Sequence, residues 1–265
     1  MLSPGEWYEG YVVDAVLGHG GYATVYRAHE ARKPGRVVAL KVLDTHHRQP
    51  AQIAQLQRGF DIAKSLDHPH IIKTYDSGPG WLAIELVNGG TVTRLQELPD
   101  RLAALAQIAD ALDYAHQRGV VHCDVKPTNI LVSQPFSERG AVLIDFGIAH
   151  LMAKDVGHRP THVVASLPYA APELLRGQTP SAATDEYALA CTAFELITGA
   201  PPFTAKTSFE LVDEHLHSPP PKLSRKVAWL PHAFDSMMSK ALAKNPDNRY
   251  ETCSEFIALI TRALR

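Results

Sequence analysis

Cysteine is scarce in this 265-residue chain, with three in all, Cys123, Cys191 and Cys253. They are scattered, odd in number and without the local spacing of metal ligands. That excludes a disulfide framework and points to reduced thiols in a cytoplasm. A basic surplus is also missing. With a formal net charge of -2, the chain is not built for a dominant nucleic-acid or anionic-membrane partner, since either needs an excess of Lys and Arg. Long apolar runs are lacking too, because acids or prolines interrupt every hydrophobic stretch, so no membrane span is expected. The opening "MLSPGEWYEG" has neither the basic start nor the apolar core of a signal peptide. Internal repeats and low-complexity tracts are absent. The remainder is ordinary for a soluble globular protein, 45% hydrophobic and 20% charged. The length suits one large domain or two small lobes.

What is present changes character near residue 88. Before it, short β-rich runs dominate: "YVVDAVLG", "TVYRAHE", "RVVALKVLD", "IIKTYDSG" and "WLAIELV". Gly, Pro and polar breaks separate them, as in an antiparallel sheet. Only "PAQIAQLQRGFDIAKSL" has helical spacing there. After "VNGGT" the pattern turns helical, with Leu102, Leu105, Ala106, Ile108, Ala109 and Leu112 expected on one face. "DEYALACTAFELITG", "HAFDSMMSKALAK" and "SEFIALITRAL" read likewise. This predicts an α+β chain: a sheet-rich N-terminal lobe over residues 1–88 and a helical lobe over 89–265. A ligand is expected in the cleft between them.

Five motifs occupy that frame in a fixed order. "VLGHGGYATVYRAH" sets glycines between two strands, and "VVALK" puts Lys41 on the next strand. "VVHCDVKPTNILV" follows the first long helix, "VLIDFGIAH" ends a short strand in Asp145-Phe146-Gly147, and Ala171-Pro172-Glu173 comes last. Taken singly, each has a plain structural reading: tight turns for the glycines, a solvated lysine, turn-forming Asp and Asn. Taken in order, the set resembles the bacterial eukaryotic-like (Hanks-type) Ser/Thr protein kinases, over nearly the whole chain. The resemblance implies a bilobal kinase fold, ATP and Mg2+ as cofactors, a protein substrate with Ser or Thr acceptors, and a cytoplasmic setting. It leaves open that the chain is the cytosolic part of a longer membrane-anchored protein.

The resemblance also assigns roles. Phosphoryl transfer spreads negative charge, which the protein must position and neutralise. Leu17, Gly18, His19, Gly20, Gly21, Tyr22, Ala23, Thr24 and Val25 form the loop over the phosphates, glycine letting backbone N–H groups approach without Cβ obstruction. Lys41 pairs with the α- and β-phosphates. Leu17, Val25, Ala39 and Leu131 sandwich the adenine, whose edge meets backbone groups at Glu85 and Val87, with Ile84 as gatekeeper. Asn129 and Asp145 hold magnesium, as hard oxygen ligands suit that ion. Asp124 orients the acceptor hydroxyl and Lys126 reaches the γ-phosphate, a lysine at that place implying Ser/Thr specificity. Ser166 takes the place of a threonine that bonds the catalytic Asp and Lys. Glu173 and Arg249 form a buried structural ion pair.

Three positions depart from the family pattern. Ala23 replaces the third loop glycine. Cys123 stands where most members carry an arginine that binds an activation-segment phosphate, so transfer gated by such a phosphate, with Thr161 the candidate acceptor, is not expected. The helix glutamate that orients the lysine falls at or beside Gly59, and no acid lies between Asp44 and Asp61. On this reading Gly59→Glu supplies Lys41 with its missing partner. Cys191 reads as a core residue, and Cys253 receives no role. Two alternatives stay open. One is a pseudokinase, a nucleotide-binding or scaffolding module with little turnover. The other is a small-molecule kinase of the aminoglycoside-phosphotransferase type, against which "ASLPYAAPE" reads as a protein-substrate platform.

Overall fold

The computed structural model of the chain describes residues 1–147, 149–151, 166–225 and 227–265. Thr161 lies outside them. The β-rich runs form one antiparallel sheet of six strands: β1 (Trp7–Tyr8), β2 (Tyr11–His19), β3 (Ala23–Glu30), β4 (Lys33–Leu43), β5 (Thr74–Gly78) and β6 (Trp81–Glu85). Their spatial order is β1-β2-β3-β4-β6-β5. Strand alternation divides its side chains between two faces. Tyr11, Val13, Tyr26, Ala28, Val38, Leu40, Val42, Trp81 and Ala83 pack into a small core on one face. The intervening Val25, Ala39, Lys41 and Ile84 therefore share the other face. Helix α1 (Pro50–Lys64) crosses between β4 and β5; Gln49 and Gln52 close its capping box, and Pro50 starts it where no N–H is needed.

The helical part begins with α2 (Leu98–His116) and continues through strand β7 (Val120–Val121). The hairpin of β8 (Ile130–Val132) and β9 (Ala141–Leu143) encloses the short α3 (Phe136–Arg139), and β10 (His150–Leu151) pairs with β7. Then come α4 (Pro172–Leu175), α5 (Ala182–Thr198), α6 (Ser208–His217), α7 (His232–Ala241) and α8 (Cys253–Ala263). Leu102, Leu105, Ile108, Ala109 and Leu112 are buried as expected. Ala106 is exposed, because at 100° per residue it falls just past the edge of the buried arc. Helix α5 is apolar nearly all round and buried accordingly, and it stops at Gly199, whose φ of 91° closes the C-terminus in the left-handed conformation. Among the described residues no helix is long and apolar enough to cross a membrane.

The two parts meet at a short connector. Gly89 N–H donates to Val132 O at 2.8 Å and Val132 N–H to Gly90 O at 2.9 Å, so the far end of the connector is stapled to β8. On its near side Arg139 of α3 donates to the Glu85 carboxylate and to Pro69 O.

Candidate active site

The cleft face of the sheet supplies the first half of the site. Across the ladders Val25 lies opposite both Gly18 and Lys41, and Ala39 lies opposite Ile84. Leu131 lies on β8, opposite Val142 in the β8–β9 hairpin and bridged to Thr91 of the connector side. Leu17 is half exposed at the mouth, while Val25, Ile84 and Leu131 are partly buried. At the connector the Glu85 N–H donates to Lys73 O at 2.9 Å.

In the β2–β3 turn Gly20 N–H donates to Ala23 O at 2.8 Å. A Cβ added at Gly18 or Gly21 meets nothing within 4 Å, so internal packing does not explain glycine at either place. Thr24 is placed differently from its expected role: it is buried, and its hydroxyl donates to Asp44 Oδ1 at 2.9 Å. Tyr22 stacks edge-on against His47. Both side chains thus secure the loop's base, and of Thr24 only the backbone remains for a phosphate.

Lys41 Nζ donates to Asp145 Oδ2 at 2.8 Å. Burial alone pushes the Asp145 carboxyl up. The charge and hydrogen bond of Lys41 outweigh it, with help from His122 and Lys126, and hold the group below the ordinary carboxylate range. Asp145 therefore stays ionised, which a metal ligand requires. It sits at φ 69°, one of the few left-handed non-glycine residues, a conformation Asp tolerates better than most.

The Lys41–Asp145 pair bears on the missing glutamate. Gly59 of α1 is buried, and a Cβ built on it lies 2.8 Å from Gly147 Cα and 2.9 Å from Gly147 N. The helix rests directly on the Phe146–Gly147 backbone. Asp61 faces solvent and accepts from Gln57 Nε2 at 3.0 Å, and Gln55 is exposed. The expected benefit of Gly59→Glu is therefore reversed: no side chain fits at 59 without moving backbone. That variant is expected to bind nucleotide more weakly and to melt lower than the wild type, by about 1–3 kcal/mol for overpacking. Calorimetry with Mg-ATP and a thermal melt check it, and a gain in either refutes the packing argument.

The catalytic-loop stretch supplies the second half. Asp124 Oδ2 accepts from Lys126 Nζ at 2.7 Å and from Asn129 Nδ2 at 3.0 Å, while the same amide nitrogen reaches Asp124 O at 2.9 Å. Asn129 thereby spends its amide N–H groups on the loop and keeps its oxygen as a hard donor. Lys126 Nζ also donates to Ser166 Oγ at 2.8 Å, so the described end of the activation segment is tied to the loop through this lysine. His122, fully buried, accepts the Asp124 N–H at Nδ1 and donates from Nε2 to Ile144 O at 3.0 Å. Its ring meets Phe146 edge-on at 4.7 Å.

Cys123 adopts φ 66°, its N–H donates to Asp185 Oδ1 at 2.8 Å and its Sγ lies 3.6 Å from Val121 O. Asp185 is the functional residue that sequence reasoning missed. It is wholly buried in α5, and its Oδ2 accepts both His122 N–H and His116 Nε2–H at 2.7 Å. Three donors converge on one carboxylate and fix the backbone that carries Asp124. The signal was an acid inside the apolar run "TDEYALACTAFELITG", since a buried carboxylate persists only where donors satisfy it.

Arg249 and Glu173 form the ion pair the resemblance implied, with two bonds of 2.8 Å between nearly inaccessible side chains. Thr184 Oγ1 adds a bond to Glu173, and Arg249 reaches the carbonyls of Ala183 and Ala243. Cys191 is a core residue as expected, its thiol pushed up by complete burial.

An antiparallel sheet joined to a helical lobe, with Lys41 bonded to Asp145 and Asn129 to Asp124, is the bilobal α+β architecture of the protein-kinase fold. The protein kinase domain model matches residues 11–258, and the chain belongs to that family. Similar proteins include the serine/threonine-protein kinase PknJ of Mycobacterium tuberculosis, 39% identical over 277 residues, which span 99% of this chain and 47% of that protein. The serine/threonine-protein kinase PknF of the same species is 38% identical over 270 residues, spanning 96% of this chain and 56% of PknF. The chain thus spans about half the length of the curated relatives it matches. The crystal structure of the M. tuberculosis PknI kinase domain superposes with a TM-score of 0.75 at 32% identity, covering 99% of this chain and all of that one.

Proposed function

We propose that the chain is a serine/threonine protein kinase that transfers the γ-phosphoryl group of Mg-ATP to hydroxyls of protein substrates. The observation that carries this reading is the Asp124 carboxylate, held by Lys126 and Asn129 on a loop pinned by Asp185. Nothing in that arrangement serves stability better than an apolar loop would. The related chains named as serine/threonine kinases support the same acceptor class.

The side chains present fit Mg-ATP. Asp145 is held ionised, Asn129 keeps its amide oxygen as a donor, and the space above Gly18 and Gly21 is open. Asn129 and Asp145 are assigned to magnesium. Residues 17–25, with Lys41, are assigned to the phosphates, and Ala39, Glu85, Val87 and Leu131 to the base. When bound, Mg-ATP supplies the phosphoryl group and the dication that offsets its charge. Asp124 accepts the hydrogen bond of the acceptor hydroxyl and turns its lone pair toward the γ-position. Lys126 places positive charge where negative charge develops. The division into lobes at residues 1–88 and 89–265 belongs to this reading, as does a reducing cytoplasmic setting, which three cysteines without a disulfide support. Cys123 supplies no guanidinium for an activation-segment phosphate, so activity is not gated by one.

The pseudokinase is the second reading, favoured by Gly59 lying against Gly147 where an orienting glutamate is usual. Transfer of labelled phosphate from Mg-ATP to a generic basic protein separates the two. Wild-type transfer that falls by at least about a hundredfold in Asp124→Asn, the lower range for losing a positioned acid–base group, supports the kinase. Equal, background-level transfer in both proteins rejects it.

A further inference from the structure

Outside the cleft, Asp113 and His116 stand one turn apart on α2, and Cys253 opens α8. Sequence spacing hides this grouping, since 140 residues separate Asp113 from Cys253. We propose that Asp113, His116 and Cys253 form a binding site for a thiophilic divalent cation of the zinc type.

Three observations carry the proposal. A carboxylate oxygen, an imidazole nitrogen and a thiol sulfur of these residues all lie within 4.8 Å of one another. Zinc bonds of about 2.0–2.3 Å put tetrahedral donors some 3.5 Å apart, so donors now up to 4.8 Å apart close onto an ion by at most about 1.3 Å. Second, His116 donates its Nε2–H to the buried Asp185 at 2.7 Å. That bond fixes the imidazole in place through a buried carboxylate, the kind of carboxylate–histidine contact that orients metal-binding imidazoles. Third, Asp113 is itself held in place by the N–H groups of Cys253 and Ser254, each at 2.9 Å. A carboxylate offers about four acceptor positions, so capacity remains for an ion.

Capping of α8 accounts for part of the group, since Asp113 accepts the first two N–H groups of that helix. Thr252 also caps α8, accepting the Glu255 N–H at 3.0 Å. Capping explains neither the orientation of His116 nor a thiol in this position. The donor set selects the ion: sulfur and imidazole favour zinc over magnesium or calcium, and three protein ligands leave a fourth position for water. As the zinc–sulfur bond forms, the thiol proton leaves to solvent. All three ligands lie on α2 and α8, so occupancy clamps these helices together. Through His116 and Asp185 it also strengthens the hold on the amides of His122 and Cys123.

The test uses the full 265-residue chain, stripped of metal with a chelator, and Co2+ or Zn2+ alone as the probe. One equivalent of Co2+ is expected to bind with a near-ultraviolet thiolate-to-cobalt charge-transfer band, and Zn2+ is expected to raise the melting temperature. Both Cys253→Ala and the near-isosteric Cys253→Ser are expected to lose the band. Asp113→Asn is expected to weaken zinc by at least the roughly 10–100-fold that loss of an outer-shell partner costs. The proposal is overturned if wild-type protein shows no band, if the band survives in a folded Cys253 variant, or if Asp113→Asn binds zinc as tightly as wild type.

Discussion

Asp185→Asn is expected to lower kcat for phosphoryl transfer by about a hundredfold while leaving the KM for ATP within a few-fold of wild type. The carboxylate accepts from His116, His122 and Cys123 at 2.7–2.8 Å. An amide in its place turns an NH2 group toward at least one of those donors. Leaving a buried donor unsatisfied costs about 1–3 kcal/mol. About 3 kcal/mol lost from the placement of the catalytic loop corresponds to roughly two decades of rate. Lys41, Ala39 and the connector backbone do not touch Asp185, so nucleotide affinity is spared. That split between kcat and KM separates a positioning role from general unfolding, which lowers the active fraction without selecting one constant. Initial rates at varied ATP, with a melt to confirm folding, decide it. Transfer within tenfold of wild type contradicts the assignment.

Glu173→Ala is expected to give the largest loss of stability. The substitution leaves Arg249 charged, fully buried and without its carboxylate, and breaking such a pair from one side costs about 3–5 kcal/mol. For a domain of this size that lowers the melting temperature by roughly 10 °C. The pair also sets an acid limit. Burial raises the Glu173 carboxyl, but the hydrogen bonds and charge of Arg249 bring it below its ordinary value. A group with a depressed folded-state value contributes stability above its unfolded value and loses it as pH falls through the folded one. The wild type is therefore expected to lose stability toward acid more steeply than Glu173→Ala. Melting curves across the acidic range test it, and parallel profiles contradict it.

Much of this fold was legible because period-two alternation and helical spacing report directly on burial. Tyr26 and Leu40 on one face, with Val25 and Lys41 on the other, follow from strand geometry alone, and the ordered motifs located the cleft. The run "IIKTYDSG" reads as one strand, yet β5 begins at Thr74, because Ile71 and Ile72 are drawn off to pair with Leu143. Thr24 sits inside the glycine-rich motif, but only coordinates show its hydroxyl turned to Asp44. Asp185 was visible as a misplaced charge, although its partners were not, since they lie some sixty residues upstream. Gly59 was read as a missing acid. A gap left by a side chain and a contact that forbids one look identical in sequence.

That contact constrains how such a chain can diverge. At Gly59 and Gly147 two backbones occupy the space a side chain would need. A chain with glycine at 59 is thus separated from one with glutamate there by two coordinated changes: the helix must withdraw from the Asp145–Gly147 segment, and the acid must arrive. Neither change is favourable before the other. A helix–lysine ion pair therefore requires both changes together, and Asp145 is left as the residue to which Lys41 is bound.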